Sequence, residues 1–139
     1  MDKPLSLLAL SRKGGKLGLG EQAVGAAARA KKARLIVVAS DASSHSLRRV
    51  EGFVAGTSQP FLSLAYDKDT LGAALGTTTC AMAVILDARL ALAFVQALGN
   101  EAQHAALLDD LSRRVKRIDQ RRQEEKAHEK NRKFGKKSR

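Results

Sequence analysis

The segment Arg34-Leu35-Ile36-Val37-Val38-Ala39 constrains the fold more than any other. It is a continuous apolar, largely β-branched run without polar alternation, which predicts a strand buried on both faces. Such a strand needs a covering layer on each side, and the flanking sequence supplies helices. Leu5, Leu7, Leu8 and Leu10 predict a short first helix that stops at Gly14-Gly15. Gly18-Leu19-Gly20 opens an alanine-rich second helix over 21–30, with Glu21 at the positive end of its dipole and Gly20 as the cap or the residue just before it. After the strand, Asp41 or Ser43 caps a third helix that carries Leu47, Val50 and Val54 and ends near Gly56. A short strand over 60–65 follows, then a brief helix over 69–75 capped by Asp67 and closed at Gly76. Thr77-Thr78-Thr79-Cys80 reads as a loop, 81–86 as another apolar strand, and 89–98 as the last helix of the body. Strands alternating with helices predict an α/β fold, a sheet sandwiched between helices.

Charge divides the chain into two parts. Residues 112–139 hold thirteen Lys/Arg against four Asp/Glu, whereas residues 1–111 hold twelve against ten. A nearly neutral body therefore carries a strongly basic extension, and a basic block attracts polyanions: nucleic acid or an acidic membrane surface. No run of about 18 apolar residues is present, so no membrane span is expected. Met1-Asp2-Lys3-Pro4 lacks the basic and apolar regions of a secretory signal. The single cysteine, Cys80, fits a reducing compartment, and the expected location is cytoplasmic. Nucleic acid is the partner that best fits such a body with such a tail.

Within the extension, Leu108, Leu111, Val115 and Ile118 recur at spacings of three and four and share one helical face, with Arg and Lys on the others. The reading divides the chain into a domain over 1–99, a basic amphipathic helix over 100–126, and a disordered basic tail over 127–139. The tail has too little apolar surface to offset chain entropy.

Catalytic and cofactor patterns fail in detail. Gly14, Gly15, Gly18, Gly20 and Gly25 suggest a nucleotide loop, but Gly15-Lys16 is followed by Leu17 rather than Ser or Thr. The dinucleotide pattern would need glycine where Ala23 stands. His45, His104 and His128 have no ligand-like spacing with Cys80, so no metal is expected. Asp41, Asp67 and Asp69 suit helix caps, and no Ser/His/Asp set suggests itself. The expectation is a protein that is not an enzyme and holds no cofactor. The glycine segment offers instead unpaired N–H groups at a helix start, with Arg12, Lys13 and Lys16 beside it.

Several segments together resemble a known family. Lys16-Leu17-x-x-Gly20-Glu21, Ala33 to Ser43 with its Ala-Ser-Asp-Ala-Ser turn, Leu71-Gly72-Ala73-Ala74-Leu75-Gly76, and the 81–86 strand follow one another at its intervals. The chain over about 4–98 resembles the kink-turn RNA-binding ribosomal protein superfamily of L-seven-Ae and L-thirty-e type, and is most similar to its bacterial YlxQ-type members. The resemblance implies a three-layer α/β/α sandwich, with an additional short strand around Lys16-Leu17. It implies an RNA surface built from two places: Lys13, Lys16, Gly18, Gly20, Glu21 and Gln22 at the start of the second helix, and Thr77, Thr78, Thr79 and Cys80 before the last strand. The family's Asn-Glu pair and following lysine fall on Gln22, Ala23 and Ala26, so this chain keeps an amide but not the carboxylate and ammonium. YlxQ-type members share the Gly20-Glu21 start.

The resulting expectation is an RNA-binding protein that recognises structured RNA, a kink-turn among the candidates, in association with the ribosome or with transcription or translation factors. Arg113, Arg114, Lys116, Arg117, Arg121 and Arg122 of the extension would add salt-sensitive affinity for phosphates. The alternative is a protein-interaction module in which the Leu108, Leu111, Val115, Ile118 face docks in a partner's groove.

Overall fold

The computed structural model describes the backbone of residues 1–137 and the side chains of residues 1–131. In chain order its elements are α1 (Lys3–Lys13), β1 (Leu17–Leu19), α2 (Gly20–Arg29), β2 (Leu35–Val38), α3 (Ser44–Val54), β3 (Phe61–Ser63), α4 (Lys68–Leu75), β4 (Met82–Ile85), α5 (Ala88–Leu98) and α6 (Ala105–Lys137). The four strands form one sheet in the order β1-β4-β2-β3. β4 pairs antiparallel with both β1 and β2, and β2 pairs parallel with β3.

Every residue of β2 and β4 is buried, as the unbroken apolar runs predict. Their side chains alternate between two cores. Leu35, Val37, Ala83 and Ile85 join Leu8 of α1, Leu71 of α4 and Phe94 of α5 on one face. Ile36, Val38, Met82 and Val84 join Val24 of α2 and Val50 of α3 on the other. The three-layer α/β/α sandwich follows from this alternation, because each face of the central strands needs its own helical cover.

The residues alone place a helix opening at Gly18-Leu19-Gly20, whereas the family resemblance places a strand nearby. The strand forms at Leu17–Leu19, and α2 begins at Gly20. The missing side chain of Gly18 allows it: a Cβ there would stand 3.0 Å from Ala23 Cβ and 3.1 Å from Val84 Cγ1. Of the two candidate caps for α3, Ser43 takes the role by accepting the Ser46 N–H at 3.1 Å. Asp41 instead accepts the Lys68 N–H at 2.8 Å and ties the turn after β2 to the start of α4.

α6 begins at Ala105 rather than near 100, because Asn100 adopts φ +51° and 101–104 form turns. The helix packs on α5 and sends Leu111, fully buried, into the first core, with Leu107 and Leu108 against it. The apolar face considered for an external partner is thus occupied, at Leu108 and Leu111, by the chain's own body. Arg114 secures the docking by donating to the Ser58 carbonyl at 2.9 Å, and Arg89 of α5 pairs with Asp119. From Arg121 to Asn131 every side chain is exposed. The helix nevertheless continues to Lys137, through a segment for which composition predicts disorder; residues 138 and 139 of that segment lie outside the described residues.

Two outcomes test this arrangement. Leu111→Ala is expected to cost about 2–5 kcal/mol in urea denaturation, the range for emptying a buried leucine site. Amide hydrogen exchange is expected to be slow over 107–118 and fast beyond 121, where only the helix's own backbone bonds hold it. Equal protection on both sides would show that docking does not stabilise α6.

Candidate nucleic-acid interface

Strand register brings distant segments to one end of the sheet. Leu19, the last residue of β1, lies opposite Ala83 near the start of β4. Gly20–Gln22 therefore sits at the same end as Thr77–Cys80, which leads into β4. α2, α3 and α4 all begin at this end, since β1, β2 and β3 all finish there. Three helix N-termini make the rim electropositive independently of side-chain charge.

The three differ in how their N–H groups are satisfied. Ser43 caps α3, and Asp67 caps α4 by accepting the Thr70 N–H at 2.7 Å. That hydrogen bond holds the Asp67 carboxyl below the usual carboxylate range. α2 has Leu19 at its N-cap position and no side-chain cap. Its first-turn N–H groups lack intrahelical acceptors and are free to meet an external anion or base edge. Gly20 there has φ +88°, a conformation that favours glycine, with no atom within 4 Å of where a Cβ would stand.

The side chains around this start divide by role. The Glu21 carboxylate pairs with Arg49 of α3, whose guanidinium lies 5.1 Å from the Phe53 ring centroid. Glu21 is therefore held towards α3. Gln22 is exposed and makes no side-chain hydrogen bond among the described residues, so its amide can both donate and accept.

The threonine loop is held firmly. Thr77 N–H donates to the Gly72 carbonyl at 2.8 Å, and Cys80 N–H donates to the Lys68 carbonyl at 3.0 Å. Thr77 Oγ1 donates to the Thr79 carbonyl at 3.2 Å, while Thr78 and Thr79 are exposed. Gly72 is what lets the loop lie on α4: a Cβ there would stand 2.6 Å from the Thr78 carbonyl oxygen. Cys80 is buried, and its thiol donates to the Met82 carbonyl at 3.3 Å. Burial pushes the thiol above its ordinary pKa, against smaller opposing effects of the Met82 hydrogen bond and the Arg12 guanidinium. Cys80 thus shapes the loop from beneath.

Lys13 is the last residue of α1, and Lys16 lies away from the rim. Lys16 accepts the Leu86 N–H through its carbonyl at 2.8 Å, at the opposite end of β1 from Gly20. Arg12 is the cation beside the threonine loop: its Nη1 lies 3.3 Å from the Cβ position of Gly76. Only the packing of α1 against α4 brings it there, and no spacing in the sequence shows that.

The α6 cations also lie away from the rim. Arg113 pairs with Asp109 at 2.6 Å, and Arg114 with Asp110 at 3.2 Å. Arg114 is only 18% exposed, which makes it a docking residue of the helix. Lys116, Arg117, Arg121 and Arg122 are exposed. The Arg89–Asp119 pair places this part of α6 beside the first turn of α5, at the sheet end opposite the rim.

Residues 2–90 match the ribosomal protein L7Ae/L30e/S12e/Gadd45 family. A protein of unknown function from Bacillus halodurans has a similar structure, with TM-score 0.65 and 23% identity over 70% of this chain and 98% of that one. The Giardia lamblia 15.5kD RNA binding protein is similar with TM-score 0.56 and 18% identity over 74% of this chain and 85% of that one. No curated protein matches in sequence.

Gly72→Ala is expected to destabilise the chain by about 1–3 kcal/mol in urea, because the added methyl must push the Thr78 peptide off α4. The displaced loop should also open Cys80 to alkylation, which in the parent is expected to be slow at neutral pH because the thiol is covered and its pKa raised. Unchanged stability and thiol reactivity would show that the loop is not seated on this glycine.

Proposed function

The chain belongs to the ribosomal protein L7Ae/L30e/S12e/Gadd45 family, and on that premise we propose that it is an RNA-binding protein that reads bent, structured RNA with the rim where α2, α3 and α4 begin. One observation carries the reading: the uncapped first turn of α2, with Gln22 exposed, stands at the same sheet end as the rigid loop that presents Thr78 and Thr79. Recognition of RNA falls chiefly on irregular features whose bases are unstacked and whose edges are free. In this reading, first-turn N–H groups of α2 meet the phosphate or sugar at the bend. The Gln22 amide reads a base edge, and the threonine hydroxyls bond the strand that splays away.

Kink-turn RNA is the proposed ligand class, with a reading surface of the YlxQ type. Gln22, adjoining Glu21, supplies the amide, and Arg12 contributes positive charge beside the threonine loop. The body over 1–99 selects shape, and the basic segments beyond it add affinity that falls with salt. The protein acts without chemistry of its own, as a cytoplasmic accessory on ribosomal RNA or alongside transcription and translation factors. No helix among the described residues is long and apolar enough to cross a membrane, and the partner proposed is RNA.

The test is a binding comparison between a kink-turn RNA and a straight duplex of equal length. Gln22→Ala with Thr78→Ala is expected to weaken kink-turn binding on the order of tenfold, the loss of one or two base or sugar contacts. Straight-duplex binding should stay within twofold. Equal loss on both ligands would remove the rim as the element that reads shape, and absence of binding to either RNA in dilute buffer would overturn the function itself.

A further inference from the structure

The end of the sheet opposite the rim carries its own feature. An open groove of about 470 Å³ lies between α6 and the body, lined by Arg34, Ser58, Ala88, Asp110, Arg114, Arg117, Ile118 and Arg121. Four of these eight residues are arginines, one before β2 and three on α6. Arg34 precedes β2 and donates its N–H to the Ile85 carbonyl at 3.0 Å. Arg114, Arg117 and Arg121 follow one another at spacings of three and four on α6, a row about 10 Å long at 1.5 Å per residue.

The groove wall is pinned by a buried amide. Gln59, next to Ser58, accepts the Ala33 N–H at 3.0 Å through Oε1 and donates to the Ala28 carbonyl at 3.1 Å through Nε2. This clamp fixes the loop after α2, which presents Lys31 and Lys32 before Arg34. Ser58 itself accepts from Arg114, so the loop, the start of β3 and α6 form one continuous wall.

Charge in the groove is unbalanced. Asp110 is paired with Arg114, Asp119 with Arg89, and Asp87 accepts the Leu90 N–H as the cap of α5. Among the described residues, no carboxylate pairs with Arg34, Arg117 or Arg121. A row of guanidiniums along one wall matches an evenly charged linear polyanion, and each guanidinium fork suits two oxygens of one phosphate. The concave shape, with only Ala88 and Ile118 apolar, does not suit insertion into a planar membrane surface.

We infer that this groove is a second RNA site, which holds the sugar-phosphate backbone of a straight duplex without reading sequence, so that one molecule bridges two RNA segments at opposite ends of its sheet. The inference rests on the RNA-binding reading but not on the rim residues. The rim selects shape, and the groove supplies most of the salt dependence.

The experiment uses the full chain and measures affinity for a straight RNA duplex and for a kink-turn RNA across a salt series. Arg117→Glu with Arg121→Glu is expected to lower duplex affinity on the order of a hundredfold and to flatten the slope of log K against log salt by about two. Lys126→Glu with Lys130→Glu makes the same charge change on α6 outside the groove and is expected to cost much less. Equal losses from the two pairs would overturn the groove as a site, because net charge alone would then govern binding. With the rim saturated by kink-turn RNA, the parent should still capture a labelled duplex, and the groove variant should not. Mutually exclusive binding in the parent would also overturn the proposal. Kink-turn binding that persists while the groove variants change nothing would sink this inference and leave the rim standing, whereas failure of every RNA to bind would sink both.

Discussion

The antiparallel pairing of β2 with β4 is the contact on which the other elements depend. Four residues from each strand, all buried, send side chains alternately into two separate cores. A shift of this register by one residue would exchange the two faces, pointing Leu35 and Val37 at α2 and α3 and stranding Ile36 and Val38 under α5. The same register sets the candidate site, because it aligns the end of β1 with the start of β4 and so decides which loops share a rim. The candidate site is therefore a product of sheet geometry before it is a product of its own side chains.

The placement of helix ends explains the division of electrostatic labour. Three helices start at the rim, so that end is positive through backbone dipoles while carrying few exposed cations. The other end receives the loops after α1 and α2 and the middle of α6, and it is positive through Lys16, Lys31, Lys32, Arg34, Arg117 and Arg121. Fixed N–H groups favour close, directional contact, whereas long cationic side chains favour tolerant contact with a backbone. In the proposed reading, selectivity and affinity thereby fall on opposite ends of one sheet.

Much of the fold was legible in the sequence. The two continuous apolar runs marked the central strands, and Ser43, Asp67 and Gly76 marked helix boundaries at or within a residue of where they lie. β1 was not legible from local pattern, because a three-residue strand flanked by glycines has no period to detect; only the family resemblance placed it. The site was legible in part. Gly20, Gln22 and the threonines stand at one sheet end, but Lys16, close to Gly20 in sequence, lies at the other end of β1, since a strand of even three residues separates its two ends. Arg12 and the Gln59 clamp depend on tertiary contacts between residues 26 to 64 positions apart, and neighbouring composition carries no trace of those. Arg114 read as a free cation because sequence does not reveal that the Ser58 carbonyl lies within its reach.

The direction of α6 has a hydrodynamic consequence. Docked against α5, the helix runs out past the body with ten exposed residues over 122–131, which alone extend about 15 Å. A molecule so shaped has unequal frictional resistance along its axes, tumbles faster about the helix than across it, and sediments more slowly than a sphere of 14.9 kDa. In crowded surroundings a shaft of this kind sweeps a larger volume than the body could, so in the proposed reading first encounter with a long polyanion falls to the shaft and settling into place to the sheet.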